Sequence, residues 1–154
     1  GAFKLQDGPF NDILRARADS KENVRDVLDQ IINQSTKLPI SDPQRTGLTI
    51  VGSRSHKTPE LEAYVEEKRK AFGDVEFISA GSSLKICLVA EGRADVYPRL
   101  GPTMEWDTAA GQAIAEYAGA SVYQHDTSKP LVYNKENLLN PWFIVQREDN
   151  QTGK

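Results

Sequence analysis

Apolar residues recur along the chain with two periods, one typical of helices and the other of strands. Between residues 24 and 32 they return every three or four positions with charged residues on the opposite face, which predicts an amphipathic surface helix. The same helical spacing predicts helices over 58–72 and 84–90, and one that begins near Asp107. Short apolar runs predict strands at 1–5, 48–51, 75–78, 94–97, 121–123, 131–133 and 143–145.

Local signals mark the ends of several predicted elements. Thr58 followed by Pro59 is typical of a helix start, and Gly73 and Gly92 are typical of helix ends. Residues 35–47 are rich in Ser, Pro, Thr and Asp and predict a loop. Because strands alternate with helices, the sequence predicts an α/β fold in which a layered sheet carries helices.

Asp107 stands at the predicted start of the last helix, just after a Gly-Pro turn. The backbone N–H groups and the dipole at a helix N-terminus favour a carboxylate there. Two interpretations stay open: Asp107 is an N-cap, or it is a ligand for a hard divalent cation beside a phosphate-binding helix end. We expect Trp106 to face inward, so that Glu105 points away from Asp107.

A second polar cluster lies at the start of the helix predicted over 84–90. Gly81 allows close backbone approach, Ser82 or Ser83 can cap the helix, and its free N–H groups can face an anion. Lys85 adds a positive charge about one turn further on. The sequence is compatible with an anion site, but by itself it favours a plain helix cap.

Two further residues could bind a phosphorylated ligand. Arg99 follows a predicted strand, and its planar guanidinium suits bidentate phosphate binding; the alternative is a surface ion pair. His56 lies in the loop after the strand predicted at 48–51 and could face a ligand or simply be exposed.

Composition narrows the classes of function. The chain has 154 residues, 38% of them hydrophobic and 27% charged, which is ordinary for one globular domain. Its net charge of −3 argues against a general nucleic-acid or membrane-surface binder. The single cysteine, Cys87, lies in an apolar run, which favours a packed thiol and a reducing compartment. No transmembrane segment is predicted, and we expect a cytoplasmic protein, in solution or at the inner face of the membrane.

Six short strings resemble motifs of the inositol monophosphatase superfamily, and specifically its CysQ-type 3'(2'),5'-bisphosphate nucleotidase branch. The Trp-Asp-Thr-Ala-Ala-Gly string identifies the superfamily, and the others narrow the resemblance to the branch. The strings are Ser53–His56, Gly81–Lys85, Leu88–Gly92, Tyr97–Pro102, Trp106–Gly111 and Leu139–Pro141. The resemblance runs from about Thr49 to the end of the chain.

The resemblance implies a magnesium-dependent phosphomonoesterase of sulfur metabolism that hydrolyses adenosine 3',5'-bisphosphate to AMP and phosphate. It implies that His56, Ser82, Lys85 and Arg99 contact the nucleotide. It also implies that Asp107 contacts the substrate and is a ligand of Mg²⁺. The alternatives are an inositol or sugar phosphate phosphatase of the same superfamily, and a non-catalytic nucleotide-binding module.

The resemblance also predicts how the chain is divided. It implies a single C-terminal phosphatase domain over 1–154, with the fold of the C-terminal half of the inositol monophosphatase and sugar phosphatase enzymes. Residues 1–47 would be a strand remnant, a helix and a variable loop, 48–147 the motif-bearing core, and 148–154 a frayed tail. No Asp-Pro-Leu-Asp-Gly-Thr-like string occurs. We therefore expect the N-terminal metal-binding domain to be missing, and with it the catalytic base and the other metal ligands. The chain alone is expected to bind nucleotide weakly and to turn over nothing.

Overall fold

The computed structural model describes residues 1–5, 24–40, 42, 44–53 and 58–147. Helices and strands alternate through most of this part of the chain, as the sequence predicts. In chain order the elements are β1 Phe3–Leu5, α1 Val24–Asn33, β2 Ser35–Lys37, β3 Leu48–Gly52, α2 Pro59–Phe72, β4 Val75–Ser79, α3 Leu84–Glu91, β5 Val96–Arg99, α4 Glu105–Tyr117, β6 Ala120–Gln124 and β7 Phe143–Arg147.

A five-stranded mixed sheet with the order β4-β3-β5-β7-β6 forms the centre of the fold. Strand β3 pairs in parallel with β4 and β5, whereas β7 is antiparallel to both β5 and β6. The carboxyl ends of β3, β4 and β5 therefore meet the amino end of β7 at one edge. Ligands of open α/β sheets bind at such an edge, so it is where a site is expected.

Helices cover both faces of the sheet and give three layers. Alternate strand residues pack on opposite sides: Val51 and Tyr97 belong to the cluster that contains α3 and α4, whereas Ile50 and Val96 pack with α2. The predicted layered α/β architecture is confirmed. No helix in the described ranges is both long and apolar enough to cross a bilayer.

The ends of α2 follow the local sequence signals. The Thr58 hydroxyl accepts a hydrogen bond from the Leu61 N–H at 3.3 Å, Pro59 occupies the first turn, and Gly73 ends the helix with a φ of +77°. Helix α3 ends at Gly92, whose φ of +85° is left-handed. The predictions for both helices are confirmed.

Helices α3 and α4 approach closely where Gly111 faces Ile86. A Cβ at Gly111 would lie only 2.9 Å from the Cδ1 atom of Ile86, so a larger residue would require the end of the Ile86 side chain to shift. The β1-β2 ribbon packs at the far ends of the two helices, where Ala2 donates to the Tyr117 carbonyl at 3.2 Å. The N-terminal turns of α3 and α4 lie at the other end, beside the carboxyl ends of β3, β4 and β5. We call this edge of the sheet the functional edge.

Two of the expected elements are wrong. Residues 35–37 were expected in a loop, but they form β2, because pairing with β1 satisfies their backbone groups. Residues 131–133 were expected to form a strand, but they are irregular, and in this region only the neighbouring Pro130 forms a bridge, with Tyr123. Leu131 and Tyr133 pack on the core from an extended loop instead. The predicted frayed tail at 148–154 lies outside the described residues.

Candidate functional site

A cavity of about 480 Å³ opens at the functional edge of the sheet. It lies between the first turns of α3 and α4 and above the ends of the central strands. Its lining residues are Ser53, Gly81, Ser82, Ser83, Lys85, Ile86, Tyr97, Arg99, Pro102, Thr103, Trp106, Asp107, Thr108 and Phe143. Four of the five predicted site residues (Ser82, Lys85, Arg99 and Asp107) thus share one cavity. The fifth, His56, lies outside the described residues.

The first turn of α3 presents unpaired donors. Ser82 has a left-handed φ of +46°, which lets the chain turn sharply into the helix. Within the described chain, the backbone N–H groups of Leu84 and Lys85 have no backbone or side-chain acceptor. No side-chain cap forms at Ser83 either. These N–H groups and the helix dipole favour an anion at this end of the cavity.

Lys85 is held beneath this turn and is only 4% exposed. Its Nζ donates to the Ser82 carbonyl at 2.9 Å and to the Ala80 carbonyl at 3.4 Å. The Nζ also lies 5.3 Å from the centre of the Tyr97 ring. Burial, and then the nearby charge of Arg99, lower the pKa of Lys85. The charges of Lys85 and Arg99 oppose each other in the cavity, so an anion bound beside them would be favoured.

Arg99 is fixed at the end of β5. Its Nη2 donates to the Pro102 carbonyl at 2.8 Å, and its Nε is buried without a hydrogen-bond partner in the described chain. Burial raises the pKa of the neighbouring Tyr97 to about 12, against an opposing effect of Arg99. Tyr97 is therefore a neutral wall of the site at physiological pH.

Asp107 lies in the first turn of α4 and is exposed to the cavity. Its Oδ2 accepts a hydrogen bond from the Met104 N–H at 2.9 Å. Met104, not Asp107, is the N-cap residue, so the N-cap interpretation has the wrong position. The carboxylate nevertheless satisfies a backbone donor at the helix start. No hydrogen bond to its other oxygen is seen among the described residues.

Glu105 is turned away from Asp107, as expected, but not because Trp106 faces inward. Trp106 is 66% exposed, whereas Glu105 is 8% exposed and forms an ion pair with Lys135. Glu105 also accepts from the backbone N–H groups of Asn134 and Lys135 at 2.7 and 3.2 Å. The Lys135 hydrogen bond is the main cause that lowers the pKa of Glu105. Glu105 thus anchors a distant loop.

The carboxylate of Asp107 fits one coordination position of a hard cation such as Mg²⁺. In the part of the chain that the structure describes, no group of three or more His, Cys, Asp or Glu side chains could hold a metal ion.

Sequence reasoning missed a polar network under α4. The buried Asn140 donates from Nδ2 to the hydroxyls of Thr108 at 3.0 Å and Thr103 at 3.3 Å. The Tyr133 hydroxyl lies 3.1 Å from that of Thr108 and 2.7 Å from Gln112 Oε1. The Leu139–Pro141 string was the only signal, and it assigned no role to Asn140.

Comparison with known proteins identifies the class. The model of the inositol monophosphatase family matches residues 9–151, and the chain belongs to this family. The 3'(2'),5'-bisphosphate nucleotidase CysQ of Escherichia coli K12 is 52% identical over 97 residues, which are 62% of this chain and 37% of that protein. The chain thus spans well under half the length of this relative.

Two solved structures resemble the fold. The crystal structure of CysQ from Bacteroides thetaiotaomicron, a bacterial member of the inositol monophosphatase family, is 58% identical with a TM-score of 0.75. The match covers 83% of this chain and 46% of that one. Inositol monophosphatase II from Staphylococcus aureus shares the fold at 20% identity and a TM-score of 0.55, over 72% of this chain and 40% of its own.

Proposed function

We propose that this chain is the C-terminal half of a magnesium-dependent phosphomonoesterase that hydrolyses adenosine 3',5'-bisphosphate to AMP and phosphate. The observation that carries the proposal is the cavity in which Ser82, Lys85, Arg99 and Asp107 meet. The high identity to CysQ proteins supports the choice of substrate.

The α3 side of the cavity binds the phosphate that the reaction retains. The backbone N–H groups of Leu84 and Lys85 donate to its oxygens, while the Lys85 ammonium and the Arg99 guanidinium balance its charge. Because Lys85 is buried and already fixed by two carbonyls, little side-chain entropy is lost on binding. His56, three residues beyond the cavity-lining Ser53, is assigned to the nucleoside.

Asp107 is the Mg²⁺ ligand in this chain. It binds the ion through Oδ1, because its Oδ2 accepts the hydrogen bond from the Met104 N–H. When bound, Mg²⁺ activates water and stabilises the charge that develops on the phosphoryl and leaving oxygens. Asp107 lines the same cavity as the N-terminal turn of α3, so the substrate contacts both a cation-binding and an anion-binding group.

The remaining metal ligands and the group that orients the water belong to an N-terminal half, the partner of this chain in the complete enzyme. We infer that the 154 residues alone bind adenosine 3',5'-bisphosphate weakly and are inactive. The complete enzyme is assigned to the cytoplasm.

The test joins this chain to the part of the Bacteroides relative that the structural match leaves uncovered, which we take as the N-terminal half. We expect Mg²⁺-dependent phosphate release from adenosine 3',5'-bisphosphate, little release from inositol 1-phosphate, and none after Asp107→Ala. Faster release from inositol 1-phosphate would favour a sugar phosphate phosphatase instead. Nucleotide binding with no release by a folded, Mg²⁺-binding fusion would indicate a non-catalytic module.

A further inference from the structure

Thr103 lies on the cavity wall between the Arg99 anchor and the start of α4. A short antiparallel pairing holds its backbone: the Asn140 N–H donates to the Thr103 carbonyl at 2.8 Å, and the Glu105 N–H donates to the Leu138 carbonyl at 3.0 Å. Asn140 is only 4% exposed, so its side chain is fixed as well. The Thr103 hydroxyl therefore has a defined environment.

The Asn140 amide faces both threonines with its nitrogen. The Thr108 hydroxyl donates to the Glu105 carbonyl at 3.2 Å, lies 3.1 Å from the Tyr133 hydroxyl and accepts from Asn140 Nδ2 at 3.0 Å. The Asn140 Oδ1 is buried without a hydrogen-bond partner in the described chain.

The same Nδ2 donates to Thr103 Oγ1 at 3.3 Å. Since Thr103 accepts on this side, its own proton points elsewhere, and no acceptor for it occurs among the described residues. The two threonines of the cavity thus differ. Thr108 has its proton committed to its own helix, whereas Thr103 keeps a hydroxyl donor for a ligand.

We propose that Thr103 donates a hydrogen bond to a phosphate oxygen in the cavity, and that Asn140 is a positioning residue that turns the Thr103 hydroxyl toward it. The inference rests on the proposed function of the cavity as a nucleotide phosphate site. The residues around Thr103 favour a phosphate. Arg99 donates to the carbonyl of Pro102, next to Thr103, and the buried Nε of Arg99 is a second donor without a partner in the described chain.

The test measures binding of AMP and of adenosine to this chain by ¹H–¹⁵N NMR titration. Thr103→Val keeps the shape and removes the hydroxyl. We expect it to weaken AMP binding about tenfold, the effect of one hydrogen bond to a charged group, and to leave adenosine binding unchanged. Thr103→Ser restores AMP binding. Thr127→Val, in an exposed turn, is the matched control and binds AMP as wild type.

Asn140→Leu tests the positioning role in a double-mutant cycle. In the wild-type background we expect it to weaken AMP binding; in the Thr103→Val background it should add no further loss. A full additional loss there would overturn the positioning role. Unchanged AMP binding by Thr103→Val would overturn the whole inference while the proposed function stands. Absence of AMP binding by the wild-type chain would overturn both.

Discussion

The two helix N-termini that face the cavity have opposite chemistry. At α3 the backbone donors of Leu84 and Lys85 have no acceptor in the described chain, and a buried lysine adds positive charge. At α4 the Asp107 carboxylate satisfies the Met104 N–H, and the neighbouring Glu105 is held by Lys135. The N-terminus of α3 has donors available for an anionic ligand, whereas the N-terminus of α4 already carries the Asp107 carboxylate.

Under the proposed function, this contrast lets one small cavity hold both a phosphate and a cation. The helix dipole favours negative charge at both of these N-termini. At α4 the protein supplies that charge, and the exposed carboxylate can then bind a metal. At α3 the ligand must supply it. The difference arises from two side chains, Asp107 and Lys85. Substitutions there should remove the metal-binding role of α4 or the phosphate-binding role of α3.

The largest effect is expected from Lys85→Met. Loss of the ammonium should weaken AMP binding by the chain between about 10-fold and 100-fold, as for hydrogen bonds to charged groups. Because burial lowers the pKa of Lys85, its charged form costs the folded state free energy. We therefore expect the Tm of the variant at pH 7 to equal or exceed that of wild type.

The difference in stability between wild type and Lys85→Met should depend on pH, and this dependence gives a control. The cost of the charged Lys85 is fully present below its lowered pKa, and it disappears as the pH rises from there toward 10.5, the ordinary value. Wild type should gain stability relative to Lys85→Met over that range, in differential scanning calorimetry. A constant difference would contradict the assignment.

A smaller effect, on stability alone, is expected from Glu105→Gln. Lys135 lowers the pKa of Glu105, so the carboxylate stabilises the fold above its unfolded pKa, and this contribution is lost as the pH falls through the folded pKa. We expect a lower Tm than wild type at pH 7 and no difference at the acid end, by circular dichroism. Lys135→Met should reproduce the loss at pH 7.

Asp107→Asn should separate the capping role from the metal role. The amide oxygen can still accept from Met104, so the free energy of unfolding should change by less than about 1 kcal/mol. Without Mg²⁺ the variant should bind AMP a few-fold more tightly, because a negative charge has left the cavity. Any increase in affinity that Mg²⁺ gives the wild-type chain should vanish; a retained increase would place the metal elsewhere.

The smallest effect is expected from Ser82→Gly. The left-handed φ of +46° strains a serine, and glycine relieves that strain at the cost of a more flexible unfolded chain. The net gain in stability should stay below about 1 kcal/mol in chemical denaturation. Ser82→Ala keeps the strain and should show no gain.

Sequence reasoning succeeded where the signal was local. Thr58, Pro59 and Gly73 determine the ends of α2 within a few residues of chain, and the periodic apolar positions gave α1 and α3. The meeting of Ser82 with Arg99 in one cavity followed from the resemblance. The order of the strands was not predicted, since no local pattern specifies which strands become neighbours.

Two of the contacts that sequence reasoning missed join residues distant in sequence. Glu105 pairs with Lys135 and Thr103 with Asn140 across more than 25 residues, which helical or strand periodicity does not reveal. Trp106 was expected to face inward, yet it is exposed and α4 buries its other face. Lys85 was expected to add a positive charge about one turn into a helix, but the sequence did not indicate that it is buried beneath the turn at Ser82.

Gly111 has a consequence for the two helices that line the cavity. Its bare Cα lets Ile86 of α3 pack against α4, next to Lys85 on one helix and one turn beyond Asp107 on the other. A Cβ at this position would lie 2.9 Å from Ile86 Cδ1, so a larger side chain would require the end of Ile86 to shift. A residue that belongs to neither proposed binding group thus contributes to the packing of the two helices that carry them.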